Sequence, residues 1–499
     1  MFARARRRGV AAGVLWLSAC TVGPDYSRPS APVPAQYKEA GWKVGEPLDG
    51  IDRGAWWSIY KDPLLDDLEK QIDISNQNLK AAEAAFQQAE WIVAQARAGY
   101  FPTLDLNASA QRSRTGGGSI STTGAGRSGF LSSSFSTSAS ASWTPDLWGK
   151  IRRTVEGDVA SAQASAGDLA SARLSAQGAL ASDYLQLRMA DELKRLFEAA
   201  AGYYAESLRI TRNQYRSGTA DQSAVSQAET LLESTQAQAI ATGVTRAQLE
   251  HAIAVLIGKP PAEFSIPPTE TKIAVPVIPP EMPSALLERR PDIAASERQI
   301  AAANAQIGVA VAAFYPDITL TADYGTSAVT LNHLLATSSR FWSFGSSLVQ
   351  TVFDAGVRSA QVEEARAVFD HDVANYRQTV LTAFQQVEDQ LAALRILAQQ
   401  AEVQDKAVAA AFEAARIINN QYLAGTVAYT SVVVADQTAL TNAETAVNIR
   451  QSRLVASAAL IQALGGGWDT TQLPSRERIE ENAPLNFSPF PPAEEARSH

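Results

Sequence analysis

One side chain in this sequence is placed for covalent modification. Cys20 is the sole cysteine among 499 residues. It closes Leu17-Ser18-Ala19-Cys20, the pattern of a bacterial lipoprotein cleavage box. A thiol there becomes the first residue of the mature chain, with a diacylglycerol on sulfur and an acyl chain on the new amino group. Arg4, Arg6, Arg7 and Arg8 form a positive n-region and Gly9 to Trp16 a short apolar h-region, so residues 1–19 read as a signal peptide. A single cysteine allows no intramolecular disulfide. Thr21 follows it in place of the aspartate that often marks inner-membrane retention, which favours the outer membrane.

No other constellation reads as catalytic or metal-binding. The four histidines, His251, His333, His371 and His499, are far apart, and none pairs with another on one helix face. The serine runs lack the glycine pattern of a nucleophile elbow. Aspartates and glutamates lie in helix-patterned stretches, where a solvated face is their ordinary place. The expectation is a protein that is no enzyme, with no cofactor beyond the covalent lipid. Residues 1–19 carry four arginines and no acid, so their removal takes the formal charge from −9 to −13. Phosphate binding wants clustered basic charge, which argues against a nucleic-acid partner. After the signal no apolar run approaches the roughly 20 residues of a spanning helix. Any membrane crossing must therefore use β-strands.

The elements that position these residues occur twice. Tyr100-Phe101-Pro102-Thr103-Leu104 recurs as Phe314-Tyr315-Pro316-Asp317-Ile318, and Asp146-Leu147-Trp148-Gly149-Lys150 as Asp354-Ala355-Gly356-Val357-Arg358, one residue shorter. Tyr215-Arg216-Ser217-Gly218-Thr219 recurs as Tyr422-Leu423-Ala424-Gly425-Thr426, and Leu256-Ile257-Gly258 as Ala463-Leu464-Gly465. The order is kept at a spacing of 207 to 214 residues, far above that of a solenoid, so the chain is a duplicated half-molecule.

In each half a helical pattern (about 64–98, then 286–313) leads to a hairpin. Leu104, Leu106, Ala108 and Ala110 alternate with Thr103, Asp105, Asn107, Ser109 and Gln111, while serines at 132 to 142 face Phe135, Ala139, Ala141 and Trp143. Gly116 to Gly126 forms a flexible loop between these strands. The second hairpin has Ile318, Leu320, Ala322 and Tyr324 against Asp317, Thr319, Thr321 and Asp323, with a returning strand at about 341–353. Period-two alternation gives one apolar and one polar face. Proline-free stretches follow, Lys150 to Tyr215 and Val357 to Tyr422, each about 100 Å long at 1.5 Å per residue. The shorter helices about 221–257 and 286–313 together span nearly as much, as do 64–98 and 428–464. Each half then contributes one long helix and a share of a column of two stacked short ones.

Apolar-out, polar-in strands of about ten residues fit a transmembrane barrel with a wet lumen, although soluble strands can alternate in the same way. No open sheet edge can sit in hydrocarbon, and four strands cannot close even the smallest barrel. If the hairpins enter the membrane, several chains share one barrel, with a cylinder of helices beneath. The rival from the helices alone is a coiled-coil scaffold lipoprotein of the envelope.

The chain resembles the TolC-like outer-membrane efflux channels, in particular their NodT-type lipoprotein branch, over essentially all of residues 17–468. The marks are Cys20-Thr21-Val22-Gly23-Pro24-Asp25-Tyr26, then Trp56-Trp57 with Asp62-Pro63-Leu64. Most specific is Arg289-Arg290-Pro291-Asp292-Ile293, followed by Glu297, Ala301-Ala302, Ile307-Gly308-Val309-Ala310 and Tyr315-Pro316. The resemblance implies an α+β membrane protein: a homotrimer with a 12-stranded outer-membrane β-barrel continuous with a 12-helix periplasmic α-barrel. It implies an equatorial belt of residues about 24–62, 259–285 and the tail after 466. The division is then 1–19 signal peptide, 20–62 anchor and extended arm, 63–258 first repeat, 259–285 equatorial linker, 286–465 second repeat and 466–499 C-terminal equatorial segment and tail.

The implied function is passive conduction of small molecules out of the cell, in partnership with a periplasmic adaptor and a proton-driven inner-membrane transporter of the resistance (RND) type. Type I secretion and metal efflux are alternatives. Metal export often brings Met or His clusters, and here three methionines stand apart. The implied adaptor-contact tips are Gly218-Thr219 and Gly425-Thr426. The implied gate lies near Tyr422, Val427, Ser431 and Val434. Ser431 and Val434 stand where many members place aspartates, and Val427 where some place an arginine. Asp436 lies about 200° round a helix from Val434 and faces elsewhere, so an apolar constriction is expected.

Overall fold

Two helices of 67 residues, α3 (Lys150–Arg216) and α7 (Val357–Leu423), set the length of the molecule. A computed structural model describes residues 21–34, 37–38, 54–115, 130–269, 273–276, 278 and 286–488. Cys20, the signal peptide and the Gly116–Gly126 loop lie outside them. The remaining elements are α1 (Pro63–Ser75), α2 (Gln77–Ala98), β1 (Thr103–Thr115), β2 (Phe130–Trp143), α4 (Gln222–Leu256) and the single turn α5 (Leu286–Arg289). Then come α6 (Pro291–Ala312), β3 (Asp317–Ala328), β4 (Arg340–Val349), α8 (Tyr429–Ala463) and the short α9 (Arg476–Asn482).

The repeated Asp-Gly motifs start the long helices. Asp146 accepts from the N–H groups of Ile151 and Arg152 at 3.0 and 2.9 Å, satisfying donors that have no partner within the helix. Asp354 receives the N–H of Arg358 at 3.3 Å in the matching place. Gly149 and Gly356 take φ of 79° and 92°, so the chain can turn from strand into helix there.

The strands form one antiparallel sheet in the order β1-β2-β3-β4. Its register makes rows of one character: Leu106, Ala139, Tyr324 and Trp342 lie side by side, and the next row on the opposite face is Asp105, Ser140, Asp323 and Ser343. Leu106 is 84% exposed and Trp342 77%. Among the described residues neither β1 nor β4 has a neighbour on its outer side. The strand expected to reach 353 stops at Val349, because Arg358 draws the Thr351 carbonyl into the turn before α7 at 2.7 Å.

Two helices expected to be continuous are broken. Asn76 separates α1 from α2: its backbone is extended, its side chain accepts from Leu79 N–H at 2.9 Å and its amide donates to the Leu256 carbonyl at 2.7 Å. Pro291 separates α5 from α6, since a residue before proline is pushed out of the helical region. These breaks also correct the stacking. The end of α4 meets the start of α2 through Asn76, and the end of α8 meets the start of α6 through Arg290, which donates to the Ala463 carbonyl at 3.0 Å. The short helices therefore stack within each half, not across halves as their lengths alone allowed.

The N-terminal arm runs higher than the expected belt. Val22 N–H bonds the Trp148 carbonyl at 3.2 Å, Arg153 holds Asp25 at 2.8 Å, and Asn304 donates to the Pro24 carbonyl at 3.0 Å. Tyr26 bonds Glu297, and Lys38 N–H reaches Glu388 at 2.6 Å. Residues 21–34, 37 and 38 thus lie on a path down from the sheet base along the upper helices. The tail climbs in the opposite sense: Asn482 bonds Glu90 at 2.7 Å, and Phe487 meets Phe101 edge-on with centroids 5.4 Å apart. The Trp56-Trp57 and Asp62-Pro63 motifs belong to the core at mid-height. Both tryptophans are buried, and Asp62 caps α1 while accepting from Tyr184 at 2.7 Å.

A Cβ at Gly23 would stand 2.4 Å from the Gly308 Cα, and its φ is +94°. Gly23→Ala is expected to loosen the arm by about 2 kcal/mol or more, combining a backbone clash with the left-handed penalty. Limited proteolysis should cut residues 21–34 faster in the variant; an unchanged rate would refute this.

Candidate functional site

At the end of the long helices farthest from the sheet, both repeats close with the same turn. Gly218 and Gly425 adopt φ of +79° and +75°. Thr219 N–H bonds the Gln214 carbonyl at 2.9 Å and Thr426 N–H the Gln421 carbonyl at 3.0 Å, the six-to-one bonds that finish a helix through a left-handed glycine. Gly218, Thr219, Gly425 and Thr426 are all exposed. The predicted tip residues thus lie at the open end of the bundle, about 100 Å of helix from the hairpins.

The residues singled out for the gate do not share one environment. Tyr422 is half-buried; its hydroxyl donates to Gln214 Oε1 at 2.5 Å, and its ring meets Tyr429 edge-on at 5.2 Å. It ties the two repeats' turns together rather than standing free. Val427 and Ser431 are half-buried, whereas Val434 is 58% exposed. Ser431 and Val434 are three residues apart on α8, so they share a face.

Asp436 points to the other side, as its angular position requires, and is 5% exposed. Its carboxylate oxygen Oδ2 has no hydrogen-bond partner among the described residues. Burial among apolar neighbours pushes its pKa up to about 6. The packing behind α8 is Phe197, Tyr204 and Leu208 of α3 with Leu231 and Leu232 of α4. Tyr204 donates to the Asp436 backbone carbonyl at 3.2 Å, and Ser207 bonds Tyr429 at 3.0 Å.

A raised folded-state pKa means the native protein holds its proton where the unfolded chain has lost it. This stabilisation is full below about pH 4 and fades as pH rises through about 6. Asp436→Asn is accordingly expected to raise the thermal midpoint at pH 7.5 and change it little at pH 4. Equal shifts at both pH values would rule out a titrating, strained Asp436.

Among the described residues no cluster of His, Cys, Asp and Glu could hold a metal ion, and no helix is long and apolar enough to cross a membrane. One residue whose role its sequence context did not reveal is Arg290. It is 8% exposed and grips Asp292 with two bonds at 3.0 and 2.6 Å, Gln386 at 2.8 Å and the Ala463 carbonyl. An arginine immediately before a helix-starting proline was the available signal.

Comparison with known proteins agrees with this architecture. The chain is 30% identical over 457 residues to the toluene efflux pump outer membrane protein TtgC of Pseudomonas putida, covering 91% of this chain and 93% of that protein. It is 28% identical over 458 residues to the cation efflux system protein CusC of Escherichia coli, covering 91% and 97%. The solved outer-membrane channel OprN superposes with a TM-score of 0.80 at 26% identity, covering 90% of this chain and 100% of that one. The model of the outer membrane efflux protein family matches residues 68–259 and 282–466. The fold is that of the helix-rich, TolC-like outer-membrane channels, and the chain belongs to the outer membrane efflux protein family.

Proposed function

We propose that three copies of this chain form one tube, and that the tube is the outer-membrane duct of a tripartite pump, conducting small apolar molecules outward without covalent chemistry. The observation that carries the proposal is the four-stranded sheet at one end of the long helices, whose two edges have no partner strand among the described residues. Unpaired backbone groups in hydrocarbon cost several kcal/mol each, so the edge of β4 must meet β1 of another copy. Three copies give 12 strands, and beneath them a cylinder of 12 helices. The division into two repeats around a linker at 259–285 belongs to the same proposal.

In this reading Cys20 carries the lipid. Thr21 lies against Gly149 at the sheet base, which is the height of a membrane surface if the sheet spans. The exposed turns at Gly218-Thr219 and Gly425-Thr426 receive a periplasmic adaptor, which links the tube to a proton-driven inner-membrane transporter. Val434, with Ser431 beside it, lines the constriction. The names of TtgC and of the solvent efflux protein SrpC favour hydrophobic solutes as cargo. CusC is named for cations, but the metal-cluster signal is missing among the described residues here.

The test is assembly and conduction of the purified full chain. A heat-labile trimer on a gel and single channels in a planar bilayer are expected; a stable monomer without conductance would refute the proposal. Cys20→Ser should abolish acylation, and an unmodified Cys20 by mass spectrometry would remove the lipid from the reading.

A further inference from the structure

Between α3, α7 and α8, one to two turns behind the face that carries Val434, lies a cavity of about 490 Å³. Its walls are Leu196, Tyr203 and Tyr204 from α3, Phe412 from α7 and Leu440 from α8, with alanines between them. That volume falls in the range of small-molecule sites, about 300–1,000 Å³. A single carboxylate, Asp436, lines it from α8 and is 5% exposed, with Oδ2 unpartnered. A buried carboxylate without a hydrogen-bond donor or counter-charge is unfavourable unless something supplies one.

The protein does not supply it from the elements packed around the site. Arg416 of α7 lines the cavity but is held by Glu413 at 2.8 and 2.6 Å. From α3 the titratable neighbours are Tyr203 and Tyr204, and the Tyr204 hydroxyl is directed to the Asp436 backbone carbonyl. From α8 itself Tyr429 adds another hydroxyl, bonded to Ser207. Asn419 and Asn420 complete the polar lining. The site therefore pairs one buried negative charge with aromatic and aliphatic walls.

We propose that this cavity binds a small organic cation of the arylalkylammonium class, its ammonium on Asp436 and its ring among Tyr203, Tyr204 and Phe412. The ring faces also attract the positive charge, strengthening the preference for a cation over a neutral molecule. A metal ion is a poor fit, since one carboxylate is far short of the oxygen donors such ions need. A lysine side chain from another protein is a poorer fit, since it would leave most of the apolar volume empty. The site lies on the opposite side of α8 from Val434, so it is separate from the constriction.

The experiment measures binding to the full-length trimer in detergent by isothermal calorimetry, using 2-phenylethylammonium and its neutral counterpart 2-phenylethanol. At pH 7.5 the ammonium is expected to bind at least tenfold more tightly than the alcohol. At pH 5 its affinity should fall about tenfold, because a carboxyl titrating at about 6 is then mostly protonated. Asp436→Asn should erase the preference for the cation. Ala199→Phe, at an exposed position of the wall, should lower binding of both compounds while leaving Asp436 intact. Equal affinities for the two compounds, an unchanged preference in Asp436→Asn, an affinity that does not fall at pH 5, or no binding at all would each overturn the proposal.

Discussion

Val434→Asp is expected to convert a weakly cation-sensitive channel into one that divalent ions block and cations prefer. Val434 is 58% exposed on α8, with Ser431 three residues earlier on the same face. If three copies form the proposed tube with Val434 at its constriction, three isopropyl and three hydroxyl groups ring it. Such a ring can hold back ions by dewetting, with no fixed charge. Three aspartates there would raise the local cation concentration by about tenfold or more. Single-channel recording checks both halves of the expectation: weak divalent block in the unmodified protein, and strong block with higher cation selectivity in the variant. Strong block in the unmodified protein would mean that another acid lines the pore. Asp436 is a poor candidate for that acid, since it is buried on the opposite side.

Arg290→Ala should be among the most destabilising single changes. The guanidinium is buried and makes bonds to Asp292, Gln386 and the Ala463 carbonyl, so it fastens the end of α8 to the start of α6. Removing it leaves the Asp292 carboxylate and a helix-terminal carbonyl without their partner, a loss of about 3 kcal/mol or more. Arg290→Lys keeps the charge but not the fork that serves three partners at once, so it should fall between. The thermal unfolding midpoint of the purified protein reads the effect; a shift under a degree in Arg290→Ala would show that the junction is held elsewhere.

The long helices were legible almost to the residue because proline-free stretches end at glycines that need positive φ, Gly218 and Gly425. The hairpins were legible because Leu106, Ala139, Tyr324 and Trp342 fall on one parity of their strands. What sits on top of what was not. Lengths permit several stackings, and the choice rests on two side chains reaching carbonyls more than a hundred residues away, Asn76 to Leu256 and Arg290 to Ala463. The break at Asn76 carries no Pro or Gly, and its only sign is the run of cap-type residues Ser75, Asn76 and Asn78. At the tip, the opposed directions of Val434 and Asp436 follow from 100° per residue. The cavity behind Asp436 could not be read, since it depends on where Ala199, Ala415 and Ala439 of three separate helices come together.

The arm fixes more than position. Val22 and Asp25 hold the first described residues to the sheet end of α3, so the lipid proposed for residue 20 would be leashed to the base of the hairpins by a residue or two. Chains leashed this way search for one another in a plane, with a higher effective concentration than in free solution. They would also meet already upright, so in the proposed barrel β4 of one copy would approach β1 of the next without the inverted encounters that freely tumbling chains must sample. On the proposed assembly, ring closure would be a two-dimensional search among pre-oriented edges, and the time each sheet spends with its edges bare would be shortened.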